Sequence, residues 1–236
     1  WSMLPCDPAY GGMGMPHIVS SAVSELWGSA NLSFSLGPML TLGAIGALEK
    51  HGSEALKEIY MRPMINGQWT GTMNLTEPQA GSDLGAIRTK AVPKDDHYLI
   101  SGTKIFITWG DHQMTDNIVH LVLARTPDAP EGVKGISMFV VPKFLVNADG
   151  SLGERNDAVC DSFEHKMGIH ASPTCVMNYG EKGGAVGYLV GEENRGLKYM
   201  FTMMNNARLH VGMEGVSLGE VAYQHACRYA KDRVQG

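Results

Sequence analysis

The sequence has no dense cysteine framework, no block of basic residues and no long uninterrupted apolar run. Its four cysteines, Cys6, Cys160, Cys175 and Cys227, stand far apart, with no C-x-x-C pair. A disulfide scaffold needs closely spaced Cys in a small secreted domain, and a zinc site needs clustered ligands. Reduced packing thiols in an intracellular setting are therefore expected. The nine His form no H-E-x-x-H pattern. His165 and His170 are neighbours in sequence only, so no metal site is expected. Nineteen Lys and Arg against 24 Asp and Glu give a net charge of −5, which argues against nucleic-acid binding. The most lipid-like stretch, 33–48, is interrupted by Pro38 and by Gly, Ser and Thr. A span needs about 20 apolar residues, so no membrane crossing is expected, and no signal-peptide pattern opens the chain. A serine hydrolase is set aside because there is no G-x-S-x-G and no convincing His–Asp pairing.

What is present is material for a sizeable core: 236 residues, 44% hydrophobic and 18% charged. The chain begins at Trp1 without an initiator Met and stops at Gly236 after a helical pattern, which reads as a piece of something larger. Three textures divide it. Residues 1–69 look helical after a glycine-rich opening, Tyr10-Gly11-Gly12-Met13-Gly14, which reads as a tight turn because no strand precedes it. Ile18, Val19, Ala22, Val23 and Leu26 share a helical face with Ser20 or Ser21 as cap; a second helix fits Met39 to Glu49, and a third starts at the N-cap Ser53 and runs toward Pro63.

Residues 70–191 turn to strands. Stretches 98–108, 118–124, 136–141, 174–179 and 185–190 are rich in β-branched and aromatic residues, with turn chemistry at 94–96, 110–111 and 127–135. An antiparallel barrel or sandwich is the expectation. Residues 192–236 return to helix, with apolar faces at Leu197, Met200, Phe201, Met204, Val211, Val216, Val221 and Tyr229. Gly212, Gly215 and Gly219 would let another helix approach closely, and Met200, Met203, Met204 and Met213 read as core filler.

Two segments carry chemistry. Met73-Asn74-Leu75-Thr76-Glu77-Pro78-Gln79-Ala80-Gly81-Ser82-Asp83 is an apolar strand ending in a polar turn. Its hydroxyls and free backbone N–H groups suit a phosphate or a heteroaromatic ring, and an ordinary capped loop is an equal reading. In Lys104-Ile105-Phe106-Ile107-Thr108-Trp109-Gly110, an aromatic and a hydroxyl two apart on a strand share a face. Such a pair suits a planar ring, although alone it reads as sheet surface.

Taken together, these segments resemble the acyl-CoA dehydrogenase family. The match continues through Lys166–Thr174, Gly191–Gly196, Asn205-Asn206-Ala207-Arg208 and Tyr229–Gln235, in family order over essentially the whole chain. The opening at 10–16 and Met203–Arg208 point within it to the branch related to 3-methylmercaptopropionyl-CoA dehydrogenase. The resemblance implies an α+β multi-domain fold: the end of a helical domain (1–69), an antiparallel β-barrel middle domain (70–191) and the first long helix of a C-terminal helical bundle (192–236). It implies an FAD enzyme of fatty-acid β-oxidation that converts an acyl-CoA to the trans-2-enoyl-CoA and passes electrons to an electron-transfer flavoprotein. A homodimer or homotetramer is implied, in the bacterial cytoplasm or, failing that, the mitochondrial matrix.

Carried over by position, Met73, Leu75, Thr76, Gly81 and Ser82 would line the flavin, with Thr76 at its pyrimidine edge. Phe106 would cover a ring face, beside Ile107, and Thr108 would donate toward N5. Ser82, Ser172, Asn205 and Arg208 would meet the acyl-CoA, and Arg233 and Gln235 would reach the FAD of a neighbouring subunit. Three departures stand out: Phe106 where Trp is frequent, Asn205 where Asp is frequent, and Ala207 where some members place the catalytic Glu. Glu214 matches no known base. The general-base Glu is therefore expected beyond Gly236 and the chain alone is expected to be inactive. An oxidase or flavin monooxygenase of the same fold, or a non-catalytic flavin- or CoA-binding module, are the alternatives.

Overall fold

A computed structural model describes residues 3–235. Helix α1 (His17–His51) holds one non-helical residue, Asn31 at φ −158° and ψ 89°, so it is two helices joined at a kink. The Phe34 N–H donates to Asn31 Oδ1 at 3.1 Å, an N-cap for the second half. That half therefore starts seven positions before the expected Met39 and carries Pro38 inside it. The first half follows Pro16 directly; Ser20 is a buried helical residue, not a cap. The apolar face read at helical spacing is largely outside: Ile18 is 76% and Leu26 70% exposed. By length and composition α1 is apolar enough to cross a membrane, but half of its most apolar window is buried inside the protein. Helix α2 (Glu54–Ile65) starts where expected, with the Leu56 N–H donating to Ser53 Oγ.

Ten strands follow: β1 (Trp69–Asn74), β2 (Lys90–Lys94), β3 (His97–Thr108), β4 (Asn117–Ala124), β5 (Ser137–Pro142), β6 (Phe144–Val146), β7 (Leu152–Arg155), β8 (Ala158–Phe163), β9 (Thr174–Tyr179) and β10 (Ala185–Leu189). Eight form one sheet along the path β1-β4-β5-β10-β3-β9-β8, with β2 also on β3; β6 and β7 pair separately. The expected all-antiparallel pattern needs correction, because β1 and β4 run parallel, Trp69 to Asn74 beside Asn117 to Val122. The crossover between them contains β2 and β3, long enough to permit it. The sheet curls until β9 reaches β1: Tyr179 Oη donates to Asn74 Oδ1 at 2.8 Å.

Strands β4 and β5 are buried on both faces, which explains their continuous apolar composition. Val119, Leu121, Leu123, Met138 and Val140 point into a core shared with Ala44, Leu48, Tyr60, Met64, Met200 and Met203. The alternate residues Val122, Phe139 and Val141 point into the curl, against Ile100, Ile107, Met177 and Tyr179. Period-two alternation along two strands thus separates two cores. Inside the curl, Asn74 Nδ2 donates to Thr72 Oγ1, which lies 2.7 Å from His120 Nδ1; His120 Nε2 is buried without a partner.

Helix α3 (Gly196–Asp232) lies along α1. The close approaches are made on the α1 side: a Cβ on Gly28 would meet Ser217 Oγ at 3.1 Å and one on Gly43 would meet Met203. Gly212, Gly215 and Gly219, expected to admit a neighbouring helix, have nothing within 4 Å of a built Cβ. Met200 and Met203 are core, as their pattern indicates, whereas Phe201, Val211, Val216 and Tyr229 are exposed.

Candidate functional site

The end of β1 and the end of β3 are bolted together. The Ile105 N–H donates to the Thr76 carbonyl at 2.9 Å, and Glu77 and Ala80 exchange two backbone hydrogen bonds that close the turn after Thr76. Beneath this turn Lys104, fully buried, reaches Glu77 Oε1 and the Leu75 carbonyl, both at 2.8 Å. The Glu77 carboxylate also accepts from Thr89 Oγ1, from the Arg88 and Thr89 N–H groups and from Gln79 Nε2. Burial alone would raise this carboxyl, but the Lys104 charge and the bonds from Lys104, Thr89 and Arg88 bring it down to about 2. Burial lowers Lys104 to about 8, against the pull of Glu77, so both groups are charged near neutrality. The sequence motifs contain both residues, but opposite charges 27 positions apart carry no local sign that they pair.

Above this pair the strand is deformed. Lys104 pairs with Met177 but Ile107 pairs with Cys175, so β3 carries one extra residue as a bulge. Phe106 sits in it at φ 59° and is 58% exposed, while Ile107 is buried. An L residue with a large side chain is strained there. The bulge turns an aromatic ring outward beside Thr108, with Ile107 anchored in the core. Thr76 and Thr108 are half-buried, Gly81 and Ser82 exposed, and none of the three hydroxyls bonds to a described residue. Met73 is half-buried and Leu75 buried below the ledge.

The next residue, Trp109, is buried at φ 55°; its N–H donates to the Pro173 carbonyl at 2.7 Å and its indole Nε1 to the Ser33 carbonyl at 3.2 Å. Those bonds bring the loop bearing Ser172 to the end of β3. Ser172 is sealed, 1% exposed, and its Oγ has no partner. Lys166 Nζ holds the Ser172 carbonyl and, at 2.9 Å, Thr174 Oγ1. The ledge of Thr76, Phe106 and Thr108 and the Ser172 loop are therefore one locality.

The residues expected on α3 lie apart from it. Arg208 Nη1 donates to Asn205 Oδ1 at 3.0 Å, with its guanidinium 5.7 Å from the centre of the Phe201 ring. Asn205 borders an 890 Å³ cavity between α1 and α3, together with Lys50, Lys198 and Thr202. Arg233 caps the end of α3 and Gln235 follows it, both exposed. No hydrogen bond or ion pair joins Asn205, Arg208, Arg233 or Gln235 to the ledge among the described residues. A second cavity, of about 310 Å³, lies between α1, α3 and the end of β3 and is walled by Trp27, Phe34 and Trp109. Glu214, set aside in the sequence for lack of a family counterpart, borders it, with its carboxyl raised by burial. No group of three or more metal-ligating side chains occurs among the described residues.

The sequence and the fold have counterparts in known proteins. Residues 1–68 match the N-terminal domain of acyl-CoA dehydrogenases and residues 72–181 their middle domain. A 3-methylmercaptopropionyl-CoA dehydrogenase of Ruegeria pomeroyi is 58% identical over 236 residues, all of this chain and 40% of that protein. A butyryl-CoA dehydrogenase of Syntrophomonas wolfei is 43% identical over 94% of this chain and 37% of that protein. The chain thus spans about two fifths of the length of these relatives. The solved butyryl-CoA dehydrogenase from Megasphaera elsdenii superposes with a TM-score of 0.82 at 26% identity, over 99% of this chain and 58% of that one.

Proposed function

The chain belongs to the acyl-CoA dehydrogenase family, and from that premise we propose that its protein oxidises an acyl-CoA thioester to the trans-2-enoyl-CoA with FAD as cofactor. The carrying observation is the ledge: half-buried Thr76 and Thr108 and the exposed Phe106 are gathered where the ends of β1 and β3 meet, over a buried ion pair and beside a bulge. Two hydroxyls without protein partners beside an exposed aromatic at a strained φ fit a planar, acceptor-rich ring. FAD, when bound, supplies the acceptor for the substrate's β hydride.

The chain's own residues bind and orient. Thr76 would offer its hydroxyl to the pyrimidine edge of a bound flavin, Phe106 would cover a ring face and Thr108 would donate toward N5, where a fixed donor would favour the charge of the reduced ring. Met73, Leu75 and Ile107 pack behind them, and Gly81 and Ser82 line the way to the pyrophosphate. Ser82, Ser172, Asn205 and Arg208 meet the thioester ligand; Ser172 Oγ, buried without a partner, is a hydroxyl awaiting one. Arg233 and Gln235 reach the FAD of a neighbouring subunit in a homodimer or homotetramer. We place the general base beyond Gly236, and the domain limits at 69 and 191. An electron-transfer flavoprotein receives the electrons.

The test is the visible spectrum of the full-length protein, followed during anaerobic addition of acyl-CoA. A yellow protein that bleaches supports the proposal, with Thr76→Ala and Thr108→Val both weakening flavin retention. A colourless protein that takes up no FAD sinks it.

A further inference from the structure

The 310 Å³ cavity behind Trp109 is roughly twice the size of an apolar cavity of about 150 Å³ that admits benzene. Trp109 follows Thr108 directly, so the cavity begins where the ledge ends. Part of its wall is an aromatic array, beside aliphatic, Met, Ser and Thr side chains. Trp27 and Phe34 stack at 4.8 Å between centroids, and Phe34 meets Trp109 edge-on at 6.1 Å. Into this apolar space α3 places Glu214, which has no hydrogen bond and no ion pair to any described residue. Among the described residues no Lys or Arg borders the cavity, and His210, one helical turn earlier, is kept toward its neutral form by burial and then by His17. A half-buried carboxyl with no cation beside it among the described residues, in a cavity walled in part by aromatic rings, offers a counter-charge to a cation carried by a ligand. Ring faces attract cations and do so most strongly when water is excluded. A neutral chain entering the cavity would strip water from the carboxylate without replacing it, and an anionic chain would be repelled.

We propose that this cavity selects acyl groups whose far end is a methylated onium cation, a quaternary ammonium or a sulfonium, held by the Trp27–Phe34–Trp109 wall and the Glu214 carboxylate. The inference rests on the acyl-CoA reading above and names the class of acyl group for it. Glu214 acts here in specificity, with no part in proton abstraction.

The full-length protein is titrated calorimetrically with trimethylammonio-butanoyl-CoA and with the neutral thioester in which carbon replaces the nitrogen. The onium thioester is expected to bind about tenfold more tightly. Glu214→Gln brings the ratio of the two affinities to within about twofold of unity, and Trp27→Leu lowers it part of the way. Because both ligands are measured on the same protein, a variant that merely loosens the fold weakens both and leaves the ratio in place. Equal or tighter binding of the neutral thioester, or a preference that survives Glu214→Gln, overturns the inference while leaving the acyl-CoA reading intact. If neither thioester binds, the acyl-CoA reading falls and this inference falls with it.

Discussion

The curled sheet and helix α3 spend their residues differently. Every residue of β4 and β5 is buried, whereas α3, at 37 residues, buries Gly196, Met200, Met203 and Ser217. The side chains on the sheet that are proposed to meet the flavin are set by strand register and by a buried ion pair with several hydrogen bonds. Those on α3, Asn205 and Arg208, are set by one hydrogen bond to each other and a ring contact on their own helix. The contrast teaches that the ring-facing part of the site is preorganised within this stretch of chain, while the α3 part takes its position from the helix as a whole.

The largest test of that contrast is Lys104→Met. It leaves Glu77 buried without its counter-charge, so the sheet should lose about 3–5 kcal/mol of stability, read from the urea midpoint. Arg208→Met on exposed α3 should cost less than about 0.5 kcal/mol. A loss at Lys104 no larger than that at Arg208 would erase the difference between the two regions.

Acid should attack the sheet first. His120 titrates near 6.5 in an unfolded chain and near 3 when folded, chiefly through burial. The unfolded state therefore binds the extra proton, and stability falls as pH drops from 6.5 toward 3, by up to about 1.4 kcal/mol per pH unit. Glu77 adds a second window. Its folded value of about 2, against 4.5 unfolded, holds stability above pH 4.5 that is lost on the way to 2. Urea titrations across this range check both, and His120→Asn should flatten the upper part of the curve.

Phe106→Gly should raise stability by about 1 kcal/mol, since glycine carries no penalty at φ 59°, while weakening flavin binding. Calorimetric melting with and without FAD separates the two effects; a variant less stable without FAD would mean that the exposed ring packs more than it strains. The smallest effect is expected on α3. Gly212→Ala meets open space and should stabilise the helix by about 0.5–1 kcal/mol, which a modest rise in Tm would show. A drop would mean that the face is covered in the whole protein.

Much of this was legible locally. The five strand stretches fall on β3, β4, β5, β9 and β10, because β-branched and aromatic runs between turn residues have few other uses. The unforeseen strands β2, β6, β7 and β8 are short or rich in charge and Pro, and depend on partners distant in sequence. Two helices before residue 52 were legible, but not the place of their join at Asn31, because an Asn that caps a helix looks, in sequence, like any other polar residue. The shared face of Ile18, Val19, Ala22, Val23 and Leu26 was legible from periodicity, which tells that one side is apolar but not what lies against it.

For the site, the residue types were readable: hydroxyls at a strand end, an aromatic and a threonine two apart, and acid and base in the same motifs. Their arrangement was not. A bulge between Lys104 and Ile107 depends on the register of β9, and the sealing of Ser172 depends on a loop folding over it. Glu214 had no local signal at all, since the cavity it borders is built from α1, α3 and the end of β3.

Composition, alternation and motif order determined the three textures, the apolar strand runs at 118–124 and 136–141 and the family to which the chain belongs, because these depend on neighbours within a few residues. Tertiary structure alone decided that β1 runs parallel to β4, that Lys104 neutralises Glu77 beneath the ledge, and that a carboxyl faces an aromatic wall. Those outcomes come from groups brought together across tens of residues, where charge and burial are properties of the surroundings and not of the residue.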